Sequence, residues 1–244
     1  MGLFDKKFCD ICGNKIGLLG NRKLDDGNLC KDCAAKLSPW FTERRSSTVA
    51  GIKDQLAYRE ANKAEVDKFN TTRTVGKGMK VYIDEAAGKF MVSRNNPKNE
   101  NADVLCLSAV TGVLINVDEN SKEIMKKTAD GKEESYIPKK FEYSYSIDIT
   151  INVNNPFFNE IKFVVENGID IEVNGMAKPS PMQSVDYQEA MNIANEIKSV
   201  LLDTPRENAA KAAAPKVAVT CPCCGATTIP NAQGCCEYCG GAIG

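Results

Sequence analysis

Histidine is absent from all 244 residues. Its absence removes the commonest general base near neutral pH and the usual activator of a nucleophilic serine or cysteine, which argues against triad hydrolysis. No apolar run approaches the eighteen or so residues that a membrane-spanning helix needs. A surplus of either charge is missing too, since 31 Lys+Arg face 32 Asp+Glu for a formal charge of −1. Residues 1–70 hold 13 basic against 10 acidic side chains, 71–183 hold 14 against 16, and 184–244 hold 4 against 6. No segment therefore carries the basic footprint with which proteins neutralise a nucleic-acid backbone. The net −2 of the middle segment likewise argues against binding of acidic lipid headgroups there. No glycine-rich loop built to cradle phosphates is present either. Trp40 is the sole tryptophan, and it reads as packing beneath a small module, because large aromatics ordinarily supply core.

Cysteine is what the chain has in quantity. Eleven are present, four near the N-terminus, Cys106 alone, and six between Cys221 and Cys239. Grouping in C-x-x-C pairs, with no secretory signal read ahead of them, points to metal in a reducing, cytoplasmic setting rather than to a disulfide framework. The opening MGLFDKKF places Lys6 where a myristoylation motif requires Ser or Thr.

The first cluster reads CDICGNKIGLLGNRKLDDGNLCKDC, with Cys9/Cys12 separated from Cys30/Cys33 by seventeen residues. That spacing falls in the range of tetrahedral zinc sites, because two residues between cysteines let one tight turn aim both sulfurs at a single ion. Gly13 can supply the positive φ such a turn needs. Asp25-Asp26-Gly27 predicts a turn between Arg22–Leu24 and Asn28–Cys30, and KDCAAKL (31–37) predicts a helix carrying the last ligand in its first turn. Knuckle, hairpin and helix in that order resemble the treble-clef class of zinc finger.

In the tail, Cys221/Cys224 and Cys236/Cys239 give two further C-x-x-C pairs, eleven residues apart and each followed by glycine. Two facing knuckles of this kind read as a zinc ribbon. Cys223 and Cys235 are left over, as a mutual pair, alternative ligands or thiols. The ribbon holds Glu237 as its one charged side chain, and no Lys or Arg follows Val217, so phosphate contact is not expected of it. Two zinc ions, each held by four thiolates, would take the net charge to about −5.

Between the ends, Thr48–Phe69 has helical composition with Val49, Ile52, Leu56 and Val66 as a loose apolar stripe, and reads as a connector. Period-two patterning predicts strands at Met79–Asp84 and Lys89–Ser93, joined by a turn at 85–88, with further strands at Val104–Leu107 and Val113–Asp118. The charged stretch 119–140 reads as an exposed loop. FEYSYSIDITINV (141–153) alternates cleanly, which predicts one core face and one wet face. Ile161–Glu166 and Ile169–Val173 flank Asn167-Gly168, the preferred hairpin turn. Ser184–Asp203 places Ala190, Ile193, Ala194, Ile197, Val200 and Leu201 at helical spacing. Seven strands and a closing helix resemble the pleckstrin-homology-like superfold. Behind them ENAAKAAAPKVAVT, after Thr204-Pro205, reads as a linker.

At residues 9–41 the ligand spacing, the KxGLLGNRKLxDG hairpin and the CKDC helix start resemble the N-terminal module of a bacterial family, the domain of unknown function 4428. KDQLAYREAN (53–62) is similar to helices that trail that module. The resemblance covers about a sixth of the chain, and it implies a bacterial or phage cytoplasmic origin without supplying an activity.

The expectation is an α+β multidomain chain: a treble-clef-like zinc finger (1–42), a connecting helix (43–70), an antiparallel β-rich PH-like domain with a C-terminal helix (71–203), an Ala/Pro linker (204–220) and a zinc ribbon (221–244). Its expected function is that of a non-enzymatic adaptor binding another protein, with structural zinc at Cys9, Cys12, Cys30 and Cys33 and at Cys221, Cys224, Cys236 and Cys239. The rival expectation is nucleic-acid binding through Lys15, Arg22, Lys23 and Lys36 of the finger. A third is thiol chemistry at Cys106, Cys223 or Cys235, although the apolar VLCLSAV setting predicts a buried, inert Cys106.

Overall fold

The computed structural model describes residues 7–172, 178, 180–213, 218–221, 224–229 and 238–239, of which 172 and 204–213 are described by their backbone alone. Two compact units divide the chain, Met1–Pro205 and Arg206–Gly244. Within the first, the finger comprises β1 (Lys7–Phe8), β2 (Lys15–Ile16), β3 (Arg22–Lys23), β4 (Asn28–Leu29) and the one-turn helix α1 (Lys31–Ala34). β1 pairs with β2, and β3 with β4 in the expected hairpin. α1 stops three residues earlier than its composition predicts, yet Leu37 beyond it is still buried.

Helix α2 (Val49–Lys68) starts where Thr48 caps it, the hydroxyl accepting from Gly51 N at 3.2 Å. Asp26 of the β3–β4 turn accepts from Val49 N at 2.7 Å, a favourable position for a carboxylate at the positive end of a helix. The buried face of α2 differs from the apolar stripe expected. It is Ile52, Gln55, Arg59, Asn62 and Val66, three of five being polar.

A four-stranded antiparallel sheet follows, in the order β5 (Arg73–Val75), β6 (Lys80–Asp84), β7 (Lys89–Ser93), β8 (Leu105–Cys106), with the short helix α3 (Pro97–Glu100) inserted between β7 and β8. The second sheet has the order β11 (Glu160–Glu172), β10 (Glu133–Val153), β9 (Val110–Lys127) and is also antiparallel. Helix α4 (Val185–Ala213) closes the core and takes in Thr204-Pro205 and the alanines behind them. Val81, Ile83, Phe90 and Val92 of the first sheet meet Ile147, Ile149, Ile151, Ile161 and Phe163 of the second and Ala190, Ala194, Ile197 and Leu201 of α4 in one cluster. Each fully buried aliphatic or aromatic side chain there contributes about 1.5–3 kcal/mol of transfer free energy, which explains why α4 keeps the spacing the sequence shows.

Three expectations are corrected. Residues 119–140 are not a loop: β9 and β10 continue as a two-stranded arm through Lys127 and Glu133, turning at Thr128–Lys132. The density of charge misled here, because Lys127 stands opposite Glu133 and Lys126 opposite Glu134, so the charges pair across the ladder. Asn167-Gly168 does not turn a hairpin. β11 runs through it, two residues on β11 (167 and 168) facing one on β10 (146) between the pairs Ile147↔Glu166 and Tyr145↔Ile169, and Gly168 at φ +66° makes a β-bulge. Nor is the even face of β10 wet, since Asp148 and Thr150 are buried alongside the odd-numbered core residues. Trp40 packs against the large central cluster, while Phe41 packs with the finger.

Candidate metal centres

In the finger, Cys9 follows β1, Cys12 lies in the turn, Cys30 caps α1 and Cys33 sits in its first turn. Their four sulfurs all lie within 4.8 Å of one another. Cys12 Sγ and Cys30 Sγ are 3.7 Å apart, and none of the four forms a disulfide. A tetrahedron of sulfurs at about 2.3 Å from zinc has edges of about 3.8 Å, so the spacing suits such an ion. Cys9, Cys30 and Cys33 are buried and Cys12 is exposed.

Backbone donors prepare the set for a cation. Cys30 N donates to Cys9 Sγ at 3.3 Å and Cys33 N to Cys30 Sγ at 3.4 Å. Burial opposes ionisation of Cys9, but the N–H groups of Cys12, Cys30 and Ile11 outweigh it and hold its thiol at about 6. Burial, with the neighbouring thiols of Cys30, Cys12 and Cys9, pushes Cys33 up. Four thiols this close cannot all ionise without a cation among them, so the set could hold a metal ion.

The second cluster repeats the first half of this geometry. Cys221, Cys224 and Cys239 place their sulfurs within 4.8 Å of one another, with Cys221 Sγ and Cys239 Sγ 3.5 Å apart. Cys236, Cys223 and Cys235 lie outside the described residues. At the finger knuckle Gly13 N donates to Cys9 O at 2.8 Å and Cys9 N to Asn14 O at 2.9 Å; at the tail Gly225 N donates to Cys221 O at 2.8 Å and Cys221 N to Ala226 O at 2.8 Å. Gly13 and Gly225 have φ of +72° and +73°. Even the flanking strands correspond. Lys7↔Ile16 and Phe8↔Lys15 match Val219↔Thr228 and Thr220↔Thr227 of β12 (Val219–Thr220) and β13 (Thr227–Thr228). One C-x-x-C-G knuckle thus occurs twice, and its glycine is required because a left-handed turn costs an L-residue about 1–2 kcal/mol.

Cys106, expected buried, is exposed. Its neighbours Leu105 and Leu107 take the inward positions, so the alternation of a two-residue strand turns the thiol out. Lys15, Lys23 and Lys36 are exposed, whereas the Arg22 guanidinium donates to Leu19 O at 3.4 Å.

Sequence reasoning missed a polar seam between finger, α2 and the β-rich region. Arg59 Nη1 donates to Asp103 Oδ1 at 2.8 Å, the two side chains being 8% and 0% exposed. Ser38 Oγ donates to Asp103 Oδ2 at 2.8 Å, and Arg59 also reaches Lys36 O and Glu100 O. Asn62 donates to Ala102 O at 2.8 Å and accepts from Val104 N at 2.9 Å. Burial pushes the Asp103 carboxyl up despite Arg59 and Ser38. The signal lay in the period, since Ile52, Gln55, Arg59, Asn62 and Val66 share one helix face, but a stripe sought among apolar residues passes over the three polar ones.

Residues 7–55 match the model of a domain of unknown function, DUF4428. The match takes in all four finger cysteines and the first turns of α2. No curated protein matches the chain, and no solved structure does. No helix among the described residues is long and apolar enough to cross a membrane.

Proposed function

We propose that the chain is a non-enzymatic adaptor in which two structural zinc modules flank a β-rich domain that binds another protein. The observation that carries it is the finger's cysteine set, four sulfurs mutually within 4.8 Å with three of them buried. A catalytic zinc keeps one position for water, whereas four thiolates leave none, so the ion would hold shape and supply no reaction. In this reading the finger (1–42) is a treble clef, 43–70 is the connecting helix, 71–203 is PH-like, 221–244 is a ribbon whose fourth ligand is Cys236, and the link between the last two begins as the continuation of α4 through Ala213 rather than as the separate Ala/Pro linker expected at 204–220. The four-plus-three strand arrangement closed by α4 supports the last of these assignments.

The test is substitution with two readouts. Cys9→Ser should reduce bound zinc by one equivalent and lower thermal stability, and the lost stability should not return with excess metal. A Cys9→Ser chain that keeps both zinc ions and melts like the parent contradicts the assignment. A finger zinc that exchanges a bound water contradicts the structural role.

A further inference from the structure

The loop joining β2 to β3 holds two leucines that the finger leaves uncovered. Leu18 is 89% and Leu19 83% exposed, although Leu24, Leu29 and Leu37 of the same module are all buried. Gly17 and Gly20 bound the pair, and Gly20 N donates to Gly17 O at 2.9 Å, which closes a tight turn with the leucines at its crown. Two adjacent leucines held in water by a closed turn contribute nothing to the finger's own core. Around them basic side chains outnumber acidic ones. Lys15 and Lys31 line the same surface, the Arg22 guanidinium is held against Leu19 O and Asn21 O, and Asp32 is the one acid among the residues lining it. Two other finger acids are engaged elsewhere, Asp10 accepting from Asn28 N and Asp26 from Val49 N at the start of α2.

We propose that this loop is a membrane-surface anchor, which seats Leu18 and Leu19 at the headgroup boundary of an anionic bilayer while Lys15, Arg22 and Lys31 meet the acidic headgroups. A nucleic acid would answer the cations and leave the leucines in water. A bilayer answers both, because interfacial binding adds buried apolar area to attraction for anionic lipid. The mean charge of the chain does not decide this, because such attraction fades within about 8–10 Å of the surface, where Lys15, Arg22 and Lys31 are set against Asp32 and the thiolates beside Cys30. Two leucines and three cations make a weak, reversible attachment. The anchor is independent of what the β-rich region binds.

The test is co-sedimentation of the full-length, zinc-loaded chain, at low salt, with phosphatidylcholine vesicles containing about one-third phosphatidylglycerol. The chain should pellet with these vesicles and stay in solution with pure phosphatidylcholine. Leu18→Ser/Leu19→Ser should lower partitioning about tenfold with zinc content unchanged. Lys15→Ala/Lys31→Ala should weaken it severalfold, which added salt would mimic. A wild-type chain that stays in solution overturns the proposal. So does a serine variant that pellets like the wild type, or equal binding to neutral vesicles.

Discussion

Arg59 gives up water on nearly every side, and what it receives is a carboxylate, two backbone carbonyls and a place between finger and sheet. Removing one partner of such a pair strands the other in low dielectric. Arg59→Leu should therefore destabilise the first unit by about 3–5 kcal/mol, read by urea denaturation, and Arg59→Leu/Asp103→Leu should recover most of that loss. If the double variant is no better than the single, the seam's value lies outside the pair. Two aspartates predict opposite pH limbs. Ala87 N and Asn70 N hold Asp84 below the usual carboxylate range, so its contribution is present above its unfolded value of about 3.9 and is lost as pH falls through the folded one. Burial holds Asp103 above that range, so its contribution is complete below about 3.9 and is lost as pH rises through its folded value. Unfolding free energy measured against pH should show a shallower acid limb in Asp84→Asn than in the parent.

At the scale of elements, the β11 bulge gives a clean substitution. A Cβ added at Gly168 would meet nothing within 4 Å, so Gly168→Ala should cost only the left-handed backbone, about 1–2 kcal/mol by denaturation. A negligible cost would mean the bulge relaxes. The same residues show what a sequence can and cannot display. Asn-Gly favours positive φ and was legible as such, but whether the chain reverses there or bulges and runs on depends on whether a partner strand extends past it. β10 does so, continuing opposite β11 as far as Glu142↔Glu172. The strands β6, β7 and β10 were readable as short apolar runs, and in β10 the side chains of its two faces alternate apolar and polar, although the polar Asp148 and Thr150 are buried as well. Helix α2 was readable as a helix but not by its face, since Arg59 and Asn62 are buried by partners, Asp103 and the backbone at Ala102–Val104, that lie about 40 residues away.

Across the whole molecule, the metal clusters were the most legible feature, because a knuckle is local: five residues set its turn, its glycine and both sulfurs. What the sequence did not reveal is that the finger and the β-rich region belong to one compact unit, joined through Ser38, Arg59 and Asp103. Loss of metal from the finger should therefore be felt in the sheets. Stripping zinc with a chelator should lower the thermal transition followed by near-ultraviolet signal from Trp40, which packs on the central cluster. An unchanged transition would mean that the seam does not couple the two.

The central claim is that both terminal clusters are closed thiolate sites. The most direct measurement is zinc X-ray absorption on reduced, desalted protein. The account predicts a first shell of four sulfurs at about 2.3 Å averaged over all bound zinc. A shell containing nitrogen or oxygen, or a protein that retains no zinc to measure, would contradict it.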